Sequence, residues 1–355
     1  MFLHRFGTSC IENCLYPDRV TKGLADVAAF AGVSVATVRR VLTGQPGVAA
    51  KTKAAVLTAL DVLGLERPTL YRGSKGGLVG LVVPDLQNPI FPALVEAVSI
   101  GLVKRGLVTV LCTRTADGVS ESNYIELLLR CEVAGMVFIG ASYADAGPEQ
   151  GKELRERGIP LVLINSADEN EGTARVSVND EAAAERALNH LASLGHERIG
   201  MILGPEGHVP SARKLRAYVR HMRTLRDDQS WRDLVMHVSF SMEDGGAAMT
   251  RLLARGVTGV VCASDALALG AIHTARRRGL SVPGDVSVTG FDDGPYMSVV
   301  EVPLTTIRQP VRALGDAAVK LLDAQLNGLP VPAEELLLDP ELIVRESTGA
   351  RPSLG

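Results

Sequence analysis

The stretch Leu24–Leu42, LADVAAFAGVSVATVRRVL, predicts two short helices joined by a tight turn. Its first half repeats apolar residues at helical spacing: Leu24, Val27, Ala28 and Ala31. Gly32 can adopt the left-handed conformation that ends a helix, and Ser34 can cap the next helix with its hydroxyl oxygen. This arrangement is typical of the helix-turn-helix motif, whose second helix enters the major groove of DNA; an ordinary helical hairpin is the alternative.

The second predicted helix carries small and basic side chains on the face opposite its apolar residues. The candidates for DNA contact there, with the cap, are Ser34, Val35, Ala36, Thr37, Arg39 and Arg40. The two hydroxyls can donate to phosphates, the guanidinium groups can bind guanine through paired hydrogen bonds, and the small apolar side chains can touch a thymine methyl group. A solvated charge pair is the alternative for the arginines. A third predicted helix, 51–63, adds Lys51 and Lys53 as phosphate contacts.

Charge is distributed unevenly along the 355 residues. The whole chain has a net charge of −3, but residues 1–76 contain ten Lys and Arg against five Asp and Glu. A basic N-terminal segment on an acidic body places the phosphate-seeking charge where the predicted helices lie. The length and the 46% hydrophobic content predict a globular protein of two or three domains.

The cysteines fit neither a disulfide framework nor a zinc site, because they are scattered and odd in number: Cys10, Cys14, Cys112, Cys131 and Cys262. They indicate a reducing, cytoplasmic location. No apolar run reaches transmembrane length, so no membrane partner is expected. Residues 1–20 lack the apolar core of a signal peptide and predict a disordered leader, or a start codon placed too early.

From Leu78 onward, apolar β-branched runs alternate with helical segments. Continuous runs such as LVGLVV and GMVFIG predict parallel strands that are buried on both faces. About ten such strands exceed one comfortable open sheet, so we predict two α/β lobes with a break near residues 193–200. Residues 66–77, rich in Gly and basic side chains, have the composition of a linker.

Read together, these stretches resemble the lactose/galactose repressor (LacI/GalR) family of bacterial transcription regulators. The resemblance runs from about Thr21 to Glu346 and rests on several motifs in the family order: LADVAAFAGVSVATVRRVL, GLVVPDLQNPIF, LASLGHERIGMILGP, SDALALGAI, RGLSVPGDVSVTGFDD and PLTTIRQPVRALG. It implies an all-α helix-turn-helix head and an α/β core of two doubly wound parallel-sheet lobes, similar to periplasmic sugar-binding proteins. A small effector between the lobes then changes the spacing of two heads in a dimer.

The implied domains follow the family order. They are the leader (1–20), the DNA-binding head (21–65), the hinge (66–77), the core (78–348) and a tail (349–355). Within the core, the N-lobe is expected at about 78–194 and 308–338, and the C-lobe at about 195–307.

The hinge departs from the family pattern. The family has a longer connector that folds as a helix on DNA and inserts a Leu into the minor groove. Here the connector is about four residues shorter and contains Gly73. Leu70 is the candidate wedge and Arg72 a neighbouring DNA contact; a hinge helix and a simple tether are both compatible with this stretch.

Ligands of open α/β folds bind beyond the carboxyl ends of strands, which makes polar and aromatic residues there effector candidates. The candidates are Phe91, Asn179, Phe240, Ser264, Asp265, Asp292 and Gln309; Asp85, Asn88 and Asp180 also follow strands. Asp292 could accept two sugar hydroxyls, and Phe240 lies where the family stacks an aromatic ring on a sugar. The resemblance adds Lys214 in place of the family's Arg, although Lys lacks the planar fork of Arg. Capping or loop ordering is the alternative for Asp265, and core packing for Phe91.

The sequence therefore predicts a DNA-binding transcriptional regulator, a repressor of the LacI type. The expected partners are a palindromic operator in double-stranded DNA, a small effector of the sugar class and a second copy of the chain; no cofactor and no metal are expected. A solute-binding protein without a regulatory role explains the core but not the helix pair. An enzyme finds no support, because the nucleophile-elbow, phosphate-loop and metal-ligand motifs are missing.

Overall fold

The computed structural model of the chain describes residues 19–42, 47–63, 77–113, 121–140, 154, 157–166, 173–225 and 229–351. The chain divides into two compact units, and the boundary in the sequence falls between Gly76 and Gly77. The predicted leader up to residue 18 and the hinge residues 66–76, with Leu70 and Arg72, lie outside the described residues. The interpretations of those segments stay predictions.

The described part of the first unit consists of helices α1 (Arg19–Ala31), α2 (Val35–Leu42) and α3 (Ala50–Val62). Their shared core is apolar and contains Val27, Ala28, Val38, Val41, Val56, Ala59 and Leu60. Gly32 has φ +65°, and the Val33 N–H donates to the carbonyl of Ala28 at 3.0 Å, which ends α1 as predicted. The expected disordered leader, residues 1–20, is wrong at its end, because α1 already starts at Arg19. Val20 lies one helical turn before Leu24 and so continues the helical spacing of apolar residues.

The second unit contains two six-stranded sheets. The first half of its chain forms β1 (Leu78–Val83), α4 (Ile90–Val103), β2 (Val108–Thr113), α5 (Glu121–Arg130), β3 (Gly135–Ile139), β4 (Leu161–Ile164), β5 (Ala174–Val178) and α6 (Asp180–Ser193). The second half forms β6 (Ile199–Leu203), α7 (Val209–Leu225), a 3₁₀ helix (Gln229–Leu234), β7 (Val235–His237), α8 (Met242–Leu253), β8 (Gly259–Cys262), α9 (Asp265–Arg277), β9 (Ser287–Asp292), β10 (Thr305–Arg308), α10 (Val311–Leu326), β11 (Leu336–Leu338) and β12 (Glu341–Ile343).

Both sheets have the same strand order. The first runs β11-β5-β4-β3-β1-β2 and the second β12-β10-β9-β8-β6-β7, so each reads 2-1-3-4-5 with a C-terminal strand added at one edge. The pairs are parallel except for β10 with β12, which is antiparallel. This confirms two doubly wound lobes, and it places ligand-binding positions beyond the carboxyl ends of the strands.

The lobe boundary differs from the expected one near residues 193–200. Helix α6 follows β5 of the first sheet, yet its residues Ala184, Leu188 and Leu191 are buried in the same core cluster as Ile199 and Tyr218 of the second lobe. The chain therefore changes lobe at 178–180. The sequence could not show this, because a strand–helix pair has the same periodicity whether its members share a sheet or not.

The C-terminal elements are divided between the two lobes. Helix α10 is buried against α4 in the core of the first lobe, β11 joins the first sheet, and β12 joins the second. The expected separate tail at 349–355 is wrong at its start, since the Gly349 N–H donates to Ser287 at 3.0 Å and the Arg351 N–H to the carbonyl of Leu194 at 2.9 Å. No helix in the described ranges is long and apolar enough to cross a membrane.

Candidate DNA-reading helix and effector cleft

Helix α2 has one buried and one exposed face. Val38 and Val41 pack into the head's core, whereas Val35 is 38% exposed. Ala36, Arg39 and Arg40 are exposed as well, and so are Lys51 and Lys53 in the first turn of α3. The residues predicted to contact DNA on α2 thus lie on its solvent side, which is the geometry that groove insertion needs.

Ser34 caps α2. Its hydroxyl oxygen accepts from the Thr37 N–H at 3.2 Å, and the two hydroxyls are hydrogen-bonded to each other at 2.9 Å. One of these two O–H groups is the donor of that bond, so the pair keeps one hydroxyl hydrogen for an outside acceptor. A phosphate at this helix start would meet that hydrogen and the first backbone N–H groups together.

In the second unit, the buried charged side chains lie close together where the two sheets present the carboxyl ends of their strands. Among the described residues, the Asp, Glu, Lys and Arg side chains classed as buried are Asp180, Lys214, Asp265 and Asp292. With the amides of Asn88, Asn165 and Gln309 they form what we call the cleft cluster. Every member lies at or just beyond the carboxyl end of a strand, or on a helix beside it. Buried charges are costly unless they are partnered, so such a concentration marks a functional site.

A chain of side-chain hydrogen bonds links the two lobes through Asp292. Its Oδ1 accepts from the Gln309 amide at 2.7 Å, and its Oδ2 accepts from the Asn88 amide at 3.0 Å. The Gln309 oxygen accepts from the Asn165 amide at 2.8 Å, and the Asn165 oxygen accepts from the Val178 N–H at 2.9 Å. The carboxyl ends of both sheets therefore meet at this network.

The backbone at the end of β9 is strained. Asp292 and Asp293 have φ of +121° and +57°, values that L residues rarely adopt and that cost on the order of 1–3 kcal/mol each. Asp293 is held by Arg308 at 2.7 Å and by Arg345 at 2.6 Å. These ion pairs fix the loop, and with it the position of the Asp292 carboxyl group.

Lys214 is neutralised within the cleft. Its ammonium donates to Asp180 and lies 3.8 Å from the centre of the Phe291 ring. The neighbouring Arg213 is committed elsewhere, to a paired contact with Glu335 at 3.0 and 2.6 Å. Lys214 thus occupies the expected region beside Asp292, but as half of an ion pair.

Burial shifts the titration of the cleft groups. It raises the pKa of Asp265, where the nearby Asp292 charge adds to the effect, and it raises the pKa of Asp292 against the opposing amide hydrogen bonds. It also raises the pKa of Asp180, against the attraction of Lys214. Burial, with a smaller contribution from Lys214, lowers the pKa of His208 to about 4.

Phe240 forms an aromatic wall with His208. The rings meet edge to face with centroids 5.1 Å apart, and Phe240 is 40% exposed. Ser211 fixes this corner, because its hydroxyl contacts His208 at 2.8 Å and accepts from the Gly204 N–H at 3.1 Å. A Cβ at Gly204 would overlap the Phe240 ring, so any larger residue there would require the ring to move.

Several predicted effector residues have a structural partner of their own. Asn179 caps α6 by accepting from the Ala182 N–H at 3.1 Å, and Ser264 caps α9 by accepting from the Leu267 N–H at 3.3 Å. Asp265 orders the loop after β9 by accepting from the Gly294 N–H at 2.8 Å and from Thr306 at 2.6 Å. Phe91 is half-buried against the core of the first lobe.

The sequence analysis missed Asn165 and His208. Asn165 directly follows β4, so the strand-end rule that selected Asp292 could have found it. His208 lies at the start of α7, where no spacing pattern distinguishes it.

Two family profiles match the chain. Residues 23–66 match "Bacterial regulatory proteins, lacI family", and residues 188–348 match a "Periplasmic binding protein-like domain". The chain is 46% identical over 338 residues to the HTH-type transcriptional regulator MalR of Streptomyces coelicolor, which covers 94% of this chain and 98% of that one. The chain belongs to the LacI family. It is also 32% identical over 338 residues to the HTH-type transcriptional repressor CytR of Escherichia coli, over 93% of this chain and 97% of CytR.

Solved structures of LacI-family regulators have the same architecture. A transcriptional regulator CelR–cellobiose complex is 29% identical and has a TM-score of 0.67, over 91% of this chain and 99% of that one. The lac repressor dimer bound to operator and the anti-inducer ONPF is 26% identical with a TM-score of 0.65, over 92% and 99%. This LacI-family chain is thus a transcriptional regulator with a DNA-binding helix-turn-helix domain and a periplasmic-binding-like core.

Proposed function

We propose that this LacI-family regulator is a repressor that binds a palindromic operator as a homodimer and responds to a small carbohydrate in the cleft. One observation carries the proposal: the buried Asp and Lys side chains of the described core gather between the lobes, where Asn88 and Asp292 join them directly. Carboxylates and amides that converge in a crevice suit a ligand with many hydroxyl groups. The cellobiose bound to the related CelR supports this ligand class.

The DNA contacts that we propose are those of the sequence analysis. Arg39 and Arg40 read bases, Val35 and Ala36 let α2 sit close to the groove floor, and the Ser34–Thr37 hydroxyl pair contacts a phosphate. Lys51, Lys53, Leu70 and Arg72 complete the interface. A homodimer follows from the two-fold symmetry of a palindrome, and the operator-bound lac repressor dimer supports it.

The effector contacts that we propose centre on Asp292 and Phe240: the carboxylate accepts hydroxyls and the exposed ring covers the apolar face of a sugar. Phe91, Asn179, Lys214, Ser264, Asp265 and Gln309 surround them. Each Asp292 oxygen accepts one amide hydrogen bond and keeps a second lone pair, so a sugar hydroxyl can donate to either oxygen without displacing Asn88 or Gln309. The ligand can then shift the lobe equilibrium only through its different affinity for the two arrangements.

The test begins with genome-wide mapping of the DNA that the protein binds. Anisotropy titrations on a mapped palindrome follow, with and without a panel of sugars. We expect that at least one sugar changes operator affinity by about tenfold or more, a coupling of about 1.4 kcal/mol. A protein that binds sugars but ignores every mapped palindrome would instead be a solute-binding protein.

A single substitution tests the reading helix. We expect Arg40→Ala to weaken binding to the operator by about 1–3 kcal/mol while binding to random DNA at the same salt concentration changes little. Lys53→Ala is the matched control, because the loss of a phosphate contact should weaken both kinds of binding alike. Equal losses on the two DNAs for Arg40→Ala would contradict its role in reading bases.

A further inference from the structure

The cleft cluster carries more negative than positive groups. Asp180, Asp265 and Asp292 are buried carboxyl groups, whereas Lys214 is the one buried ammonium or guanidinium among the described residues. Burial raises the pKa of Asp265 to about 8 and lowers the pKa of His208 to about 4, so both groups are largely neutral at pH 7, and the carboxylates of Asp180 and Asp292 outnumber the ammonium of Lys214. The charge of the cleft therefore disfavours a ligand that brings further negative charge.

The cations around the cleft are already committed to carboxylates. Lys214 is paired with Asp180, and Arg213 with Glu335. Arg308 and Arg345 both bind Asp293. A phosphate that entered here would meet cations whose charge is already balanced by a carboxylate.

Two of the helix N-termini beyond the strands, where a phosphate could otherwise bind, carry the protein's own acids, whereas the first turns of α4, α7 and α10 carry none. The first turn of α6 contains Asp180 and Glu181, and the first turn of α9 contains Asp265. One backbone N–H at each of these starts is already capped, that of Ala182 by Asn179 and that of Leu267 by Ser264. A bound phosphate would therefore face a carboxylate at each of these helix starts.

Asp180 has one carboxylate oxygen that is paired and one that is not. Its Oδ1 accepts from Lys214, while its Oδ2 is buried and has no hydrogen-bond partner among the described residues. An unsatisfied buried carboxylate oxygen is costly, and a hydroxyl donor would satisfy it whereas a phosphate oxygen would not. Asp180 thus both neutralises the cation of the cleft and offers an acceptor to a polyol.

We propose that the buried Asp180–Lys214 pair makes the cleft select uncharged sugars and reject their phosphate esters. The inference rests on the proposed function, because it specifies the ligand class of the same cleft. It assigns Asp180 as a specificity-determining residue.

The test compares matched ligands on the full-length protein by isothermal titration calorimetry at fixed ionic strength. The probes are glucose, cellobiose and trehalose, each paired with its 6-phosphate, together with inorganic phosphate alone. We expect that any sugar of the panel that binds does so about tenfold or more tightly than its phosphate ester. Equal or tighter binding of the ester would overturn the proposal.

Asp180→Asn keeps the shape of the side chain but releases the Lys214 charge. In this variant we expect the preference for the neutral sugar to shrink about fivefold or more. Glu181→Gln is the matched control, since it removes one charge from the same helix turn at a residue that pairs with Arg216 and Arg220 on the surface. The double variant Asp180→Asn/Lys214→Met should restore the wild-type preference, because the released ammonium is gone.

A folded Asp180→Asn protein with an unchanged preference would contradict the role of the pair. Binding of no probe by wild type or variant would also contradict it, whereas operator binding, measured separately, would remain as evidence on the regulatory function. If Asp180→Asn fails to fold by circular dichroism, the wild-type comparison of each sugar with its ester still decides the question.

Discussion

Both lobes direct the carboxyl ends of their strands at the cleft, but the first lobe brings neutral amides there and the second brings the charges. Asn88 and Asn165 follow strands of the first sheet. Asp180, Lys214, Asp265 and Asp292 all belong to elements of the second lobe. An amide can exchange its partner for water at small cost, whereas a buried charge needs its partners kept in place. The second lobe thus supplies the charged part of the site, and the first lobe supplies hydrogen bonds that can be exchanged at small cost.

The helices of the second lobe are also packed more closely than those of the first. In the second lobe, α8 and α9 approach so closely that a Cβ at Gly270 would overlap the carbonyl oxygen of Met242. In the first lobe the approach is looser: a Cβ at Gly101 of α4 would lie 2.9 Å from the Cγ2 of Val319, and a Cβ at Gly315 of α10 would lie 3.0 Å from the backbone carbonyl carbon of Ala97. The helices of the second lobe thus approach each other more closely than those of the first lobe, which leaves them less room to adjust.

The largest effect should come from breaking this packing. We expect Gly270→Ala to destabilise the protein by about 4 kcal/mol or more, because the helices must separate, and Gly101→Ala by about 1–2 kcal/mol. Urea unfolding followed by circular dichroism measures both. If the two substitutions cost the same, the second lobe is no more rigid than the first.

A second pair of substitutions compares how much the Asp292 carboxylate and the Asn88 amide each contribute to sugar binding. We expect Asp292→Ala to weaken binding of the effector sugar about 30-fold or more, because hydrogen bonds to a charged group are worth about 1.5–3 kcal/mol, and Asn88→Ala to weaken it only about fivefold. Calorimetric titration gives both constants. Losses in the reverse order would place the ligand's main hold in the first lobe.

The sequence was most informative where the signal is local. The spacing of Val38 and Val41, the turn at Gly32 and the cap at Ser34 concern residues a few positions apart, and all three are seen in the head. The carboxyl-end rule also selected Asp292 and Gln309, which the structure brings into direct contact.

What the sequence could not show depends on distant pairing. Asp180 and Lys214 lie on different helices, and the periodicity of each helix reports only its own buried face. The same reason hid the assignment of α6 to the second lobe. The strain at Asp292 was hidden too, since a positive φ at an Asp has no obligatory sequence signature.

Acid should affect the second lobe through its histidines. Because burial lowers the folded-state pKa of His208 from about 6.5 to about 4, the stability that it contributes is present above pH 6.5 and is lost as the pH falls through that window. We expect His208→Gln to remove about 2 kcal/mol of this loss between pH 7 and pH 4.5. Asp265 and Asp292, whose pKa values are raised, act in the opposite sense and lose stability as the pH rises.

Urea unfolding at a series of pH values measures the slope. His273→Gln, at an exposed position on α9, is the control. The pKa values of the buried His196 and of the half-buried His190 and His221 are also lowered, and these residues remain in both variants, so the slope should flatten without vanishing. An unchanged slope in His208→Gln would show that this ring is not held neutral by burial.

The smallest expected effect concerns Asn179, which stands where the chain passes from the first lobe to the second. Its oxygen caps α6, so Asn179→Ala should cost about 1 kcal/mol of stability, whereas Asn179→Asp keeps a cap oxygen and should cost little. These two variants also distinguish the roles of the amide oxygen and the amide nitrogen, because Asp retains the acceptor oxygen and loses the N–H donor. If that donor reaches the effector as proposed, Asn179→Asp lowers sugar affinity about fivefold in a protein of full stability. Full affinity in Asn179→Asp would leave Asn179 as a helix cap alone, and the first lobe's contribution to the ligand would then rest on Asn88 and Phe91.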